Sequence, residues 1–255
     1  MEKLEQILLN LKSLGCSGIK VSFEDEGALL NEIISMRKLT STVDLELSIK
    51  IGGCEAKRDI VDSIDLVCDT IVAPMIESDF ALNKFLKSLD AYHYKGKKGF
   101  NLETINGFNN LSLISNKLDK LDFLTFGRVD FVSSLDKDRD FVDTEEMYDL
   151  VYSSFKIARE KGIMCYLGGA VSINSKEFIN NLYKENLLDK FETRYIIFDA
   201  HKIDFNNFEK LLYLANVFEV EWLRYISIRY QSHADKDAKR IKMIDERISK
   251  NNNFN

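Results

Sequence analysis

Residues Lys98 to Asp136 read KGFNLETINGFNNLSLISNKLDKLDFLTFGRVDFVSSLD. Two short apolar runs, Gly99 to Leu102 and Asp122 to Phe126, each lead into a carboxylate. Glu103 closes the first, and Asp130 follows the second after Gly127-Arg128-Val129. The segment Ile105 to Lys120 between them reads as a helix, so the stretch is a strand–helix–strand unit of the size a parallel crossover needs. In parallel α/β proteins the carboxyl ends of neighbouring strands share one rim, where chemistry is placed. Two carboxylates meeting there offer oxygen-only ligation, which suits a hard ion such as Mg2+ or Mn2+. The same residues have a plainer reading, because an acid after a strand commonly caps a helix or sits in a solvated turn. Glu103 stands directly before Thr104 and a helix, so spacing alone leaves both readings open.

The pattern continues on both sides. Leu4, Ile7, Leu8, Leu11 and Leu14 recur at helical spacing up to Gly15. Strands are expected at Gly18–Phe23, Val43–Ile51 and 69–74, with helices at Ala28–Lys38, Glu55–Ile64 and Ser78–Leu89. Downstream, helix Thr144–Lys161, strand Ile163–Leu167, the pair Gly168-Gly169, helix Ser175–Asp189 and strand Thr193–Asp199 follow. This alternation predicts an α/β fold with a parallel sheet, a TIM-type (β/α) barrel. Seven strands are visible where a barrel needs eight. Either the first strand is missing or one escapes the pattern. Phe208, Leu211, Leu212, Ala215, Phe218, Trp222, Tyr225 and Ile226 form a long apolar stripe, and Lys236–Lys250 is a charged helix aligning only Ala238, Ile241, Ile244 and Ile248. The expected division is a barrel over 1–203 and a C-terminal helical extension over 204–255.

The chain has 255 residues, 45% of them hydrophobic and 30% charged, with a formal net charge of −6. That profile suits one globular domain of barrel size and excludes the basic stripe that nucleic acid requires. Cys16, Cys54, Cys68 and Cys165 have no zinc or CxxC spacing, and read as buried thiols in a reducing compartment. The charged start MEKLEQILLNLKSLG is unlike a signal peptide, and no apolar run reaches the ~18 residues a membrane span needs. A cytoplasmic location is expected.

Phe100-Asn101-Leu102-Glu103-Thr104 together with Phe126-Gly127-Arg128-Val129-Asp130-Phe131-Val132-Ser133-Ser134-Leu135 resembles the HpcH/HpaI aldolase and citrate lyase β-subunit family. In that family a strand ending in an (L/I)ET-like motif supplies a metal-binding Glu, and a following G-x-x-D-L-S-like motif supplies a metal-binding Asp. Ile71-Val72-Ala73-Pro74-Met75-Ile76-Glu77 is similar to its apolar-P-M-V stretch, and the likeness spans roughly Met1 to His201. The resemblance implies a (β/α)8-type barrel that binds Mg2+ or Mn2+ through Glu103 and Asp130. It also implies chemistry on the enolate of pyruvate or a related 2-oxo acid or acyl substrate. Such an enolate carries new negative charge that a chelated divalent ion offsets.

Departures from the pattern matter. Lys50 stands where family members carry an oxyanion-binding arginine, keeping the charge and losing the bidentate fork. Where the family's DGEH-like motif has histidine, the run Glu24-Asp25-Glu26-Gly27 has glycine. The base is then Glu26, Glu55 or a metal-bound water. Lys50 is expected as an electrostatic group rather than a Schiff-base amine. Arg128 and Gly127 are expected to bind the substrate, and His201 sits past the last strand at a rim. The leading expectation is a divalent-metal aldolase or lyase taking a small oxo acid or aldehyde. Its alternatives are a barrel that binds an oxo acid or sugar phosphate without cleaving it, and a scaffold subunit. The stripe from Phe208 to Ile226 motivates an expected homo-oligomer held by the segment from Asn206 to Ile248.

Overall fold

Eight strands close into one barrel in chain order, in a computed structural model that describes residues 1–24 and 26–250. Asp25 of the acidic loop and the last residues of the expected extension, 251–255, lie outside the described residues. The strands are β1 (Cys16–Ser22), β2 (Glu46–Lys50), β3 (Thr70–Ala73), β4 (Lys97–Leu102), β5 (Phe123–Gly127), β6 (Met164–Gly168), β7 (Lys190–Glu192) and β8 (Ile196–Asp199). Around them lie α1 (Glu2–Ser13), α2 (Leu30–Val43), α3 (Lys57–Asp65), α4 (Asp79–Ala91), α5 (Ile105–Asn109), α6 (Leu111–Ile114), α7 (Arg128–Ser134), α8 (Glu145–Glu160), α9 (Lys176–Lys184) and α10 (Phe208–Lys250). Hydroxyls fix several helix starts: Ser78, Thr104 and Thr144 each accept the backbone N–H three residues on, satisfying a donor the helix leaves unpaired.

The strand that escapes the sequence pattern is the seventh, and the first is in place. β1 to β7 run parallel, while β8 pairs antiparallel with both β7 and β1. A tight turn, Thr193 to Tyr195, replaces the last crossover helix, so the expected strict alternation fails there. The segment Ser175–Asp189, expected as one helix, contains α9 and then the approach to β7. Ile105–Lys120 is likewise broken into α5, α6 and a 3-10 turn over Ser115–Lys120. Val43, expected in a strand, ends α2.

Period-two alternation sorts the strand residues between two environments. Outward side chains such as Ile19, Val21, Leu47, Ile49, Phe100, Leu124, Phe126 and Phe191 pack under the helices in the main core. Inward side chains form layers along the lumen. At the amino-terminal end of the barrel Glu46 pairs with Lys97 at 2.5 Å and with Lys190 at 3.3 Å. A small apolar plug of Val72, Phe123 and Tyr166 follows, with the Phe123 and Tyr166 rings stacked at 4.2 Å. Gly99 makes room for that plug, because a Cβ there would overlap the Phe123 ring. Above the plug the lumen turns polar, where a barrel more often stacks branched apolar groups.

The expected apolar stripe is covered by the chain's own barrel: Phe208, Leu211, Leu212, Ala215, Phe218 and Trp222 are buried in α10, with Phe208 against Phe191. The charged helix expected at Lys236–Lys250 is the continuation of α10, which is exposed along nearly its whole length from Ser227 on. None of the helices among the described residues is long and apolar enough to cross a membrane.

Candidate active site

The carboxyl ends of β1, β2 and β4 to β7 surround a cavity of about 480 Å3. Its walls come from inward strand positions, Lys20, Lys50, Asn101, Thr125, Gly127, Gly168 and Glu192, and from the residues beyond them, Glu103 first. Glu103, one residue past β4, is buried at 2% exposure. Its Oε1 accepts the Met75 N–H at 2.9 Å and its Oε2 accepts the Asn101 side-chain N–H at 2.9 Å. Each oxygen retains a further lone pair for a ligand. Lys50 Nζ lies 3.9 Å from Glu103 Oε1 and 3.5 Å from Glu24 Oε2.

Burial pushes the Glu103 carboxyl above its usual range; Lys50, Asn101 and the Met75 N–H pull it part of the way back, and the charge of Asp130 pushes it up again. A carboxyl raised on folding contributes stability below its unfolded value of 4.5 and loses it as pH rises through the folded value. Glu103→Gln, neutral at every pH, is therefore expected to raise the melting temperature at pH 7 in metal-free buffer. The gain should vanish near pH 4. A pH-independent difference between the two proteins would contradict this origin.

Asp130 stands in the first turn of α7, exposed, and has no hydrogen bond or ion pair among the described residues. It lines the same cavity as Glu103. Gly127, expected to touch substrate, has a packing reason as well: a Cβ there would meet Glu103 Oε2 at 2.8 Å, so only glycine leaves that carboxylate in place. Lys50 and Glu26 also line the cavity, with Glu26 Oε1 3.8 Å from Arg194 Nε. Five of the seven site residues expected from the sequence thus line one cavity: Glu103, Asp130, Gly127, Lys50 and Glu26.

Arg128 does not converge with them. It is fully buried behind the cavity, and all five of its N–H donors are used. Nε donates to the Gly168 carbonyl, one terminal nitrogen to the Val142 carbonyl and Asp143 Oδ1, the other to the Gly169 carbonyl and Ser175 Oγ. Its guanidinium also lies 5.0 Å from the Phe178 ring centre. The residue expected to bind a substrate anion instead ties the loops after β5 and β6 together, and the Gly168-Gly169 pair serves it with carbonyls. Glu55, the other proposed base, faces outward beside Lys84 at 3.1 Å and Lys57 at 3.6 Å, away from the cavity. His201 is at the opposite rim, because β8 runs in reverse, and its Nε2 lies 3.5 Å from Asp189 Oδ1.

The cavity contains groups that pattern reading missed. Lys20 Nζ and Glu192 Oε2 are 2.5 Å apart across the lumen. Burial opposes the charge on Lys20, yet the Glu192 carboxylate outweighs it and holds the ammonium above its ordinary value. Thr125 Oγ1 is buried and has no hydrogen-bond partner among the described residues. Arg139 and Arg194 supply guanidinium groups at the mouth in place of Arg128. The signal for Lys20 was a lone lysine between Ile19 and Val21, a polar residue at an inward position.

The donor set suits a hard divalent ion. Glu103 and Asp130 offer oxygen only, and among the described residues no group of three or more His, Cys, Asp or Glu forms a fuller cage. Mg2+ is commonly held by one or two carboxylates, with waters and substrate completing the shell. Among the described residues the lining carries five acids, Glu26, Glu103, Asp130, Glu192 and Glu219, against four bases, Lys20, Lys50, Arg139 and Arg194. One divalent cation turns that balance positive, as a carboxylate ligand requires.

No family model matches this chain, and no curated protein matches it by sequence. Solved structures do. An HpcH/HpaI aldolase from Desulfitobacterium hafniense DCB-2 superposes with a TM-score of 0.61 at 11% identity, over 75% of this chain and 81% of that one. The citrate synthase SbnG superposes with a TM-score of 0.59 at 13% identity, over 85% of this chain and 88% of that one. At such identities the likeness establishes the fold. This chain has the barrel fold of the HpcH/HpaI aldolase, the family its Glu103 and Asp130 motifs resemble.

Proposed function

We propose that the protein is a divalent-metal-dependent carbon–carbon lyase or aldolase acting through the enolate of a 2-oxo acid. The observation that carries the reading is the convergence of Glu103, Asp130 and Lys50 on one cavity at the carboxyl rim. Glu103 and Asp130 hold Mg2+ or Mn2+, and when bound the ion supplies positive charge against the oxygen that gains charge in the reaction. Lys50, kept in place by Glu103 and Glu24, adds a second positive charge without forming a covalent bond. Arg139 and Arg194 orient the substrate carboxylate at the mouth. Glu26 takes the base's role, since it lines the cavity and Glu55 does not. The buried plug of Val72, Phe123 and Tyr166 closes the lumen below, so water reaches the site from one side only.

The test joins calorimetry with turnover. Glu103→Gln and Asp130→Asn should each weaken Mn2+ binding by about 100-fold, about 2.7 kcal/mol, with an unchanged circular dichroism spectrum. EDTA should stop release of pyruvate from 4-hydroxy-2-oxo acids, and borohydride should trap no adduct at Lys50. If both variants bind Mn2+ like the parent, the reading is wrong. Binding of Mn2+ and oxo acid without any cleavage would favour the non-cleaving barrel instead.

Self-association belongs to the same proposal. With the apolar stripe from Phe208 to Trp222 buried on its own barrel, the homo-oligomer proposed here rests on the second half of α10. There Ile228, Ile241 and Ile248 are 71%, 60% and 58% exposed. Light scattering should show more than one chain for the full-length protein and one for a chain ending near Ser227. A full-length monomer at micromolar concentration would refute this.

A further inference from the structure

A second cavity of about 400 Å3 adjoins the barrel mouth, between β1, α2 and α10. Val21, Ile33, Met36, Trp222 and Ile226 give it apolar walls. Its far side is closed by the Tyr230 hydroxyl, which donates to Glu32 Oε1, while Glu32 Oε2 accepts the Leu29 N–H. Both oxygens of that buried acid are thereby engaged within the protein. Glu26, Arg194 and Glu219 line this chamber and the catalytic cavity alike, so the two spaces meet at these side chains. The Arg194–Glu26 contact at the junction is 3.8 Å, an ion pair looser than a hydrogen bond.

We propose that the chamber receives an uncharged, apolar arm of the substrate whose oxo-acid head occupies the barrel mouth. This assignment rests on the function proposed above and adds a substrate class to it. Three features support this occupant. The chamber shares the side chains of Glu26, Arg194 and Glu219 with the cavity that holds the metal-type carboxylates. One wall of it, from Val21, Ile33, Met36, Trp222 and Ile226, is aliphatic and aromatic, as the walls of ligand pockets are. Among the described residues its charged groups are three acids, Glu26, Glu32 and Glu219, against Arg194, so a second carboxylate on the arm is repelled. The substrate is therefore a branched or straight-chain alkyl 2-oxo acid or its aldol, and not a dicarboxylic one.

Trp222 is the only tryptophan in the chain and forms part of the chamber wall, so its emission reports occupancy directly. The experiment titrates the protein in Mn2+ buffer with pyruvate, 2-oxobutyrate, 2-oxopentanoate, 4-methyl-2-oxopentanoate and 2-oxoglutarate. Plain acids of matching length without the oxo group form a parallel series. Trp222 emission should shift with saturation, and the dissociation constant should fall about fourfold per added methylene, about 0.8 kcal/mol. 2-Oxoglutarate should bind at least tenfold more weakly than 2-oxopentanoate. Ala28→Leu, which fills the chamber, should flatten the series, and Ile226→Phe repeats the test if that variant fails to fold.

Affinity independent of arm length overturns the proposal, as does calorimetric binding that leaves Trp222 emission unchanged. So does emission that follows protein concentration, which would place a second copy in the chamber. Failure of every compound in both series to bind at millimolar concentration also overturns it. A chain-length trend in both series, with no metal-dependent cleavage of any oxo acid or aldol, would sink the lyase reading and leave the chamber standing.

Discussion

Arg128→Met should lower the melting temperature by on the order of 10 °C. The variant removes five hydrogen bonds at once and leaves Asp143 without its cation. Breaking a buried pair from one side costs about 3–5 kcal/mol, and a chain of this size loses about 2–4 °C per kcal/mol. Arg128→Lys should fare little better, since one ammonium has three donors and no planar fork to span carbonyls on two loops. A direct substrate role would give the opposite outcome: near-parental thermal stability with a raised KM for oxo acid. A shift below 2 °C for both variants would show that the buried network carries little of the fold's stability.

Glu192→Leu is the second large effect. It leaves the Lys20 ammonium inside the lumen without the carboxylate that now sits 2.5 Å away. The expected cost is again about 3–5 kcal/mol, because an uncompensated buried charge is far worse than none. Lys20→Met combined with Glu192→Leu should recover most of that loss in urea unfolding, giving a coupling energy well above the additive limit of about 0.5 kcal/mol. If the double variant is as unstable as the sum of the two singles, the pair is not the unit described here.

Much of this was legible before the structure. The strand–helix–strand reading around Glu103 and Asp130 placed β4 and β5 side by side, and their carboxylates do share a cavity. Short apolar runs between helical segments suffice for that inference. β7 was invisible for a physical reason: it has three residues, Lys190-Phe191-Glu192, and two of them carry charge. Those charges are satisfied by Glu46 and Lys20, partners remote in sequence, so no local pattern announces the strand. The direction of β8 was hidden likewise, because apolar alternation is the same read either way along a strand, and with it the rim at which His201 stands. Arg128 looked like a ligand group because its neighbours in sequence are Gly127 and Asp130. Its actual partners lie on loops 14 to 47 residues downstream.

The reversed last strand also shapes how the chain reaches this state. Closing the barrel requires Cys16 to find Phe198 and Ile19 to find Ile196. Each of those strands already has a partner nearby in sequence: β1 has β2, and β8 has the hairpin with β7. Closure therefore joins the two free edges of a long curled sheet, against the entropy of a loop comprising most of the chain. Until it happens, both edges offer unpaired backbone groups to any other strand in the vicinity. The residues of α10 that cover this region, Phe208 to Trp222, leave the ribosome after everything they must shield. A chain still in synthesis is thus an open sheet with two adhesive borders, and its exposure to aggregation lasts until α10 has emerged.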